Sequence, residues 1–213
     1  MQIKTLHAAF DKLHNIHGAK HLSSIYGAGC IKRPRVMFIF MNPTGRNVST
    51  NYKWSGIRAP WLGTKNIWRL FYAVGFISKK TFEEILSLKV DDWTPEFSTK
   101  LYGEIAKNKI FITNLAKCTQ IDARKLNDSV FKDYLELMYR EIALIKPKVI
   151  ITFGNQVSSI LLKKPIKVGD YKGIKKEKLF IKGEMFDIYP IYYPVGQGMR
   201  NMPLAVKRIG EII

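Results

Sequence analysis

The chain has 213 residues, 46% of them hydrophobic, enough for one substantial core and too few for two ordinary domains. Lysine and arginine total 35 against 17 acidic residues, a formal charge of +18, which points to a polyanion as partner unless the excess only reflects a lysine-rich proteome. The two cysteines, Cys30 and Cys118, exclude a disulfide framework and a cluster held by four protein thiolates, and no stretch approaches the roughly 20 apolar residues of a membrane span.

A helix is predicted from Ile3 to about Ile16. Val36-Met37-Phe38-Ile39-Phe40-Met41 follows as an unbroken apolar run, the pattern of a strand buried on both faces of a parallel sheet. Helical spacing then predicts helices over Asn66 to Val74, Thr81 to Leu88 and Ser98 to Ala106, ahead of a second strand at Ile110-Phe111-Ile112-Thr113. The long helix from Asp128 to Ile145 repeats Val130, Tyr134, Leu137, Met138, Glu141 and Ile145 on one side and stops at Lys146-Pro147. Val149-Ile150-Ile151-Thr152-Phe153 is the third strand, with a helix from Gly154 to Leu162 directly behind it. The fourth strand, Phe186 to Tyr193, is more mixed, and a last helix closes the chain.

Strands alternating with helices predict a single α/β domain over residues 1–213, a three-layer sandwich with a central four-stranded parallel sheet flanked by helices. Ligands of such sheets sit outside the carboxyl ends of the strands, which nominates the loops after Met41, Thr113, Phe153 and Tyr193. The chain opens on Met1-Gln2-Ile3-Lys4, without the apolar stretch of a secretion signal, so a soluble, cytoplasmic and nucleoid-associated protein is expected.

Two of those loops and one further stretch carry suggestive residues. Asn42-Pro43 after the first strand is either a catalytic loop or a common turn. Trp54 to Trp68 supplies flat side chains for stacking and cations for phosphates, although Trp68 falls at core spacing with Phe71 and Tyr72. Tyr193-Pro194-Val195-Gly196-Gln197-Gly198-Met199-Arg200 joins two glycines, an apolar tip and a cation, either a glycine-rich turn or a wedge of the kind that opens a base step.

Taken in order, these motifs resemble the uracil-DNA glycosylase superfamily from about Arg35 to Asn201. Phe40-Met41-Asn42-Pro43-Thr44 stands where the single-strand-selective and mismatch-specific branches have G-M-N-P-G or G-I-N-P-G. Pro60-Trp61, Asn66-Ile67-Trp68 and Val74-Gly75-Phe76 are similar to the mismatch-specific P-F, N-R-F-W and A-G-F. Thr113-Asn114-Leu115-Ala116-Lys117-Cys118 resembles the T-N-x-V-K-C of the iron–sulfur branch, and Pro147 to Gly154 the widely shared P-K-x-I-x-x-L-G. Tyr193-Pro194-Val195-Gly196 takes the place of the second signature, H-P-S-P or N-P-S-G. Phe40 in place of glycine narrows the pocket entrance, and Tyr193 replaces the usual His or Asn.

The resemblance implies a monofunctional enzyme of base-excision repair that flips a deaminated base, uracil first, out of DNA and hydrolyses its N-glycosidic bond. It assigns Asn42 to the attacking water, Trp61 to stacking, Asn114 to the base edge, and Met41 and Asn42 backbone amides to the leaving anion. Phe40 borders the base, Tyr193 stands in the second catalytic signature, and Met199 with Arg200 forms the wedge on a loop that Gly196 and Gly198 bring close to DNA. Lys117 and Ser158 are expected to touch phosphates. With two cysteines, no cluster, metal or other cofactor is expected, and one pocket per flipped base implies a monomer. The competing reading keeps the fold as an inactive DNA-binding protein. A small-molecule nucleosidase or phosphotransferase is a third reading, one that gives the charge no role.

The remaining signals have plainer readings. His7, His14, His17 and His21 are expected on a surface cap helix rather than around a metal, since no carboxylate or thiol completes a ligand set. Cys118 reads as a packed thiol, and Asp91-Asp92 as a turn cap.

Overall fold

Apolar runs of five residues become strands because both of their faces meet helices, and β2 (Val36–Phe40) is buried along its whole length. Its side chains alternate: Val36, Phe38 and Phe40 enter one core, Met37 and Ile39 the other. The computed structural model describes residues 3–122 and 126–213.

β3 (Ile110–Asn114) and β4 (Val149–Phe153) lie on either side of β2, and β6 (Glu184–Ile191) lies beyond β4, all parallel. This contiguous set matches the four predicted strands. With Ala28–Gly29 as β1 and Glu177–Ile181 as β5, the sheet is nevertheless six-stranded and mixed, in the order β1-β3-β2-β4-β6-β5. β1 runs antiparallel to β3, and β5 antiparallel to β6. Both were missed in the sequence for physical reasons. β1 is two residues long, and β5 reads Glu-Lys-Leu-Phe-Ile, an edge strand whose Lys178 and Phe180 face solvent. The two-residue turn between β5 and β6 places Lys182 at φ 49° and Gly183 at φ 87°, the conformation of a type I′ hairpin.

Helices cover both faces, which makes the three-layer sandwich. α2 (Asn66–Ala73), α3 (Lys79–Ser87), α4 (Pro95–Lys107) and α7 (Met202–Ile212) enclose the core built on Phe38 and Phe40. α1 (Ile3–His17), α5 (Asp128–Ile145) and α6 (Asn155–Leu162) close the core on Met37 and Ile39. α4 begins three residues before the predicted Ser98, because Thr94 Oγ1 caps the Phe97 N–H at 3.2 Å and Pro95 suits the first turn.

From β2 the chain passes to β3 on one side, while β4 and β6 extend the sheet on the other. The order therefore reverses between β2 and β4, and a crevice opens above their carboxyl ends.

Candidate active site

A cleft of about 1910 Å³ occupies this position. Met41 and Asn42 line it from the end of β2, Asn114 from β3, Gln156 from α6 and Tyr193 from beyond β6. Trp61, Gly196 and Gly198 also line it, so seven of the residues singled out in the sequence converge here. Phe40 stands behind them in full burial, its ring stacked on Phe153 at 4.2 Å and meeting Trp61 and Tyr193 edge-on at 5.0 and 6.3 Å.

The loop after β2 is pinned from two directions. The pairing of β2 and β3 continues past the strands, with Leu115 N donating to Phe40 O at 2.8 Å and Ala116 N to Met41 O at 3.1 Å. Gln120 N then donates to Pro43 O, and Gly45 N to Gln120 O. Asn42 is set within this frame: its Nδ2 donates to Pro43 O at 3.1 Å, and its Oδ1 has no hydrogen-bond partner among the described residues.

Trp61 is held by its backbone. Its carbonyl accepts from Thr64 N, Thr64 Oγ1 and Trp68 Nε1, while Tyr102 Oη secures the preceding carbonyl of Pro60 at 2.6 Å. Trp61 sits at φ 67°, a conformation that costs a bulky residue on the order of 1–3 kcal/mol and persists where surrounding contacts enforce it. Its indole is half-buried against Phe40, with Nε1 buried and without a hydrogen-bond partner among the described residues.

Asn114, the last residue of β3, is 2% exposed, and its Oδ1 is buried with no hydrogen-bond partner among the described residues. Natural proteins rarely leave such an acceptor unpaired, because the omission costs about 1–3 kcal/mol. The Tyr193 hydroxyl is likewise without a partner among the described residues, and burial pushes its ionisation far above the usual phenol range, so it stays a neutral donor.

Gly196 takes φ 59°, and Gly198 packs so tightly on Tyr193 that a Cβ would overlap the Tyr193 carbonyl oxygen. Gly198→Ala is therefore expected to displace the Tyr193–Gly198 loop and to lower both activity and the urea midpoint, whereas an alanine at Gly210, which has open space within α7, leaves activity unchanged and the midpoint at or above wild type. Met199 and Arg200 are exposed on the short helical turn Gly196–Asn201, beside the cleft.

Two of the residues expected on phosphates are elsewhere. Lys117 is 0% exposed: its ammonium lies 2.8 Å from Glu141 Oε2, donates to Thr113 Oγ1 and Asn114 O, and packs over the Phe10 ring at 4.9 Å. Ser158 is also fully buried, its hydroxyl shared between Thr152 Oγ1 and Gly154 O, each at 2.8 Å. Neither reaches a phosphate, because α1 and α5 roof the first and α6 turns the second into the sheet. The histidines differ from expectation too. His14 is buried, its Nε2 2.7 Å from Leu22 O and its Nδ1 accepting from Thr119 N, while His21 lines the cleft.

Several cleft residues went unnoticed in the sequence. Exposed Arg46 and Lys53 line its outer wall, where the positive charge the composition announces meets the site. Buried Asn47 holds that wall together, its Nδ2 on Ala59 O at 2.7 Å and its Oδ1 taking Ser49 N and Oγ. Gln156 tethers the approach to α5 through Leu126 O and Asp128 Oδ1. Glu141 had left a signal, a carboxylate on the apolar stripe of α5, which implies a buried cation opposite.

The family model of the Uracil DNA glycosylase superfamily matches residues 26–207, and the chain belongs to that superfamily. It is similar to the type-4 uracil-DNA glycosylase of Saccharolobus solfataricus, 30% identical over 112 residues that cover 50% of this chain and 51% of that protein. The chain thus aligns with about half the length of this relative. The cysteines do not fit an iron–sulfur centre. Cys30 pairs with Ile110 at the start of β3, while Cys118 is buried beyond its other end, where burial pushes its thiol up.

Proposed function

We propose that this chain is a monofunctional DNA glycosylase, acting as a monomer, that hydrolyses the N-glycosidic bond of a flipped uracil in DNA. What supports the reading is the convergence of Asn42, Trp61 and the unpaired amide of Asn114 on one cleft at the sheet's carboxyl edge.

The flipped base stacks on Trp61, with Phe40 backing the indole. Asn114 rotates its amide to take N3–H on Oδ1 and to donate Nδ2 to O4, whereas cytosine presents the opposite pattern and leaves the amide mispaired. The C1′–N1 bond breaks with its electron pair leaving on the base, and the sugar becomes an oxocarbenium-like cation. A water held by Asn42 Oδ1 adds to C1′ and gives up a proton to solvent, while the base anion takes one up, giving an abasic sugar and free base. Amides suffice for this role, since the cation forms before the water needs a strong base. Backbone N–H groups at Met41 and Asn42 and the neutral Tyr193 hydroxyl stabilise the departing anion. Met199 fills the vacated stack, and Arg200, Arg46 and Lys53 take phosphates in place of Lys117 and Ser158.

The test is incubation with labelled oligonucleotides carrying uracil, hypoxanthine, xanthine or a G·T pair, followed by alkaline cleavage at abasic sites. Cleavage at uracil is expected. No cleavage at any site, with salt-sensitive binding retained, sinks the catalytic reading in favour of a DNA-binding protein. In the same binding assay Arg46→Ala and Arg200→Ala are each expected to make log K against log salt shallower by about 0.9. An unchanged slope removes that residue from the DNA contact.

A further inference from the structure

Lys117 buries its ammonium completely, a placement proteins rarely tolerate unless the charge is paired and put to use. The pair is Glu141 on α5, at 2.8 Å. The ammonium's other two donors go to Thr113 Oγ1 and to the main-chain carbonyl of Asn114, each at 2.5 Å, and Phe10 of α1 closes over it. All three donors are thus committed to β3 and α5. Burial holds the Lys117 amine below the usual lysine range, and the Glu141 carboxylate beside it opposes that shift.

Just past Asn114 the main chain is held to β2 by Leu115 N on Phe40 O and Ala116 N on Met41 O, and the Lys117 ammonium adds a hold at the Asn114 carbonyl itself. Asn114 is the last residue of β3, and its side chain makes no hydrogen bond among the described residues. We infer that Lys117 is a positioning residue for base recognition: anchored by Glu141, it clamps the Asn114 carbonyl and so fixes the direction in which the unpaired Asn114 amide meets the base. The inference rests on the proposed role of Asn114.

A single Lys117 variant leaves Glu141 buried and uncompensated, which is expected to destabilise the protein strongly whatever Lys117 does for Asn114. The informative protein is Lys117→Met/Glu141→Leu, since an ion pair exchanged for apolar residues of similar volume commonly keeps the fold. Its urea midpoint is expected near wild type, while uracil release in single turnover falls by up to about 10²-fold through misplacement of Asn114. Adding Asn114→Ala is expected to cost no more than a further twofold or so beyond Asn114→Ala alone, because both changes act through one group. A folded pair variant at the wild-type rate, or losses that multiply with Asn114→Ala, overturns the assignment. Should the pair variant fail to fold, scalar coupling between Lys117 15Nζ and the Asn114 carbonyl carbon in the wild type decides: a visible Nζ signal without that coupling refutes the clamp. A wild type that releases no base, or an Asn114→Ala protein of full activity, instead refutes the function on which the inference rests.

Discussion

Asn114→Ala is expected to lower single-turnover uracil release by about 10²–10³-fold, the scale on which a directed hydrogen-bond group is lost from an active site. The fold should not suffer. The Asn114 side chain makes no hydrogen bond among the described residues, so truncation breaks none, and it removes a buried oxygen that is itself a cost of about 1–3 kcal/mol. Urea unfolding is therefore expected at the wild-type midpoint or slightly above it. That combination separates recognition from stability, because most core truncations move both together. Unimpaired release by this variant would remove Asn114 from the base edge. A collapsed midpoint would mean that the amide supports the sheet instead.

Asn42→Ala is expected to act on the chemical step alone. Among the described residues its Nδ2 engages only Pro43 O, and the loop is independently held by Gln120 and by the β3 exit, so loop and cleft persist without the side chain. Rate should fall by about 10²-fold or more as the water loses its anchor, with the dissociation constant for a uracil-containing strand unchanged. Asn42→Asp keeps an oxygen toward the water. Its rate is expected to hold at neutral pH and to fall as acid protonates the new carboxylate, near about pH 4 for an unperturbed aspartate. A loss of binding in step with rate in Asn42→Ala would place the residue on the base or the backbone rather than on the water.

The clamp on Asn114 ties these expectations to the fold. β3 ends in Thr113 and Asn114, and the helix that covers it brings Glu141 to meet Lys117, so a substitution on α5 is expected to be felt at the base. The outer wall carries Arg46 and Lys53, exposed charges of the composition brought to the site, while Lys117 works from inside.

Much of this was legible in the residues. The apolar runs at Val36, Ile110 and Val149 became β2, β3 and β4 because strands covered on both faces must be apolar throughout, a property local to each run. The position of Asn42, Trp61, Asn114 and Tyr193 around one cleft followed from the strand order and the rule that parallel sheets bind at their carboxyl ends. Trp68 proved to be core and Asp92 a turn cap, its Oδ2 accepting from Lys89 N at 2.7 Å. The two edge strands stayed hidden because an edge exposes one face and so mixes charge with apolar residues.

By itself the sequence determined the α/β class, the four parallel strands, the helices over them and the motifs at the strand ends, all set by periodicity and by neighbours within a few residues. Only the tertiary structure decided where the long polar side chains went. Lys117 and Ser158 look like surface residues in any local window. Lys117 was drawn inside by Glu141, a partner on another element, and Ser158 by Thr152 and Gly154 once α6 had folded back onto the sheet. Burial of a polar group depends on the partner that satisfies it, and such a partner is brought near by the packing of helix on sheet rather than by spacing along the chain.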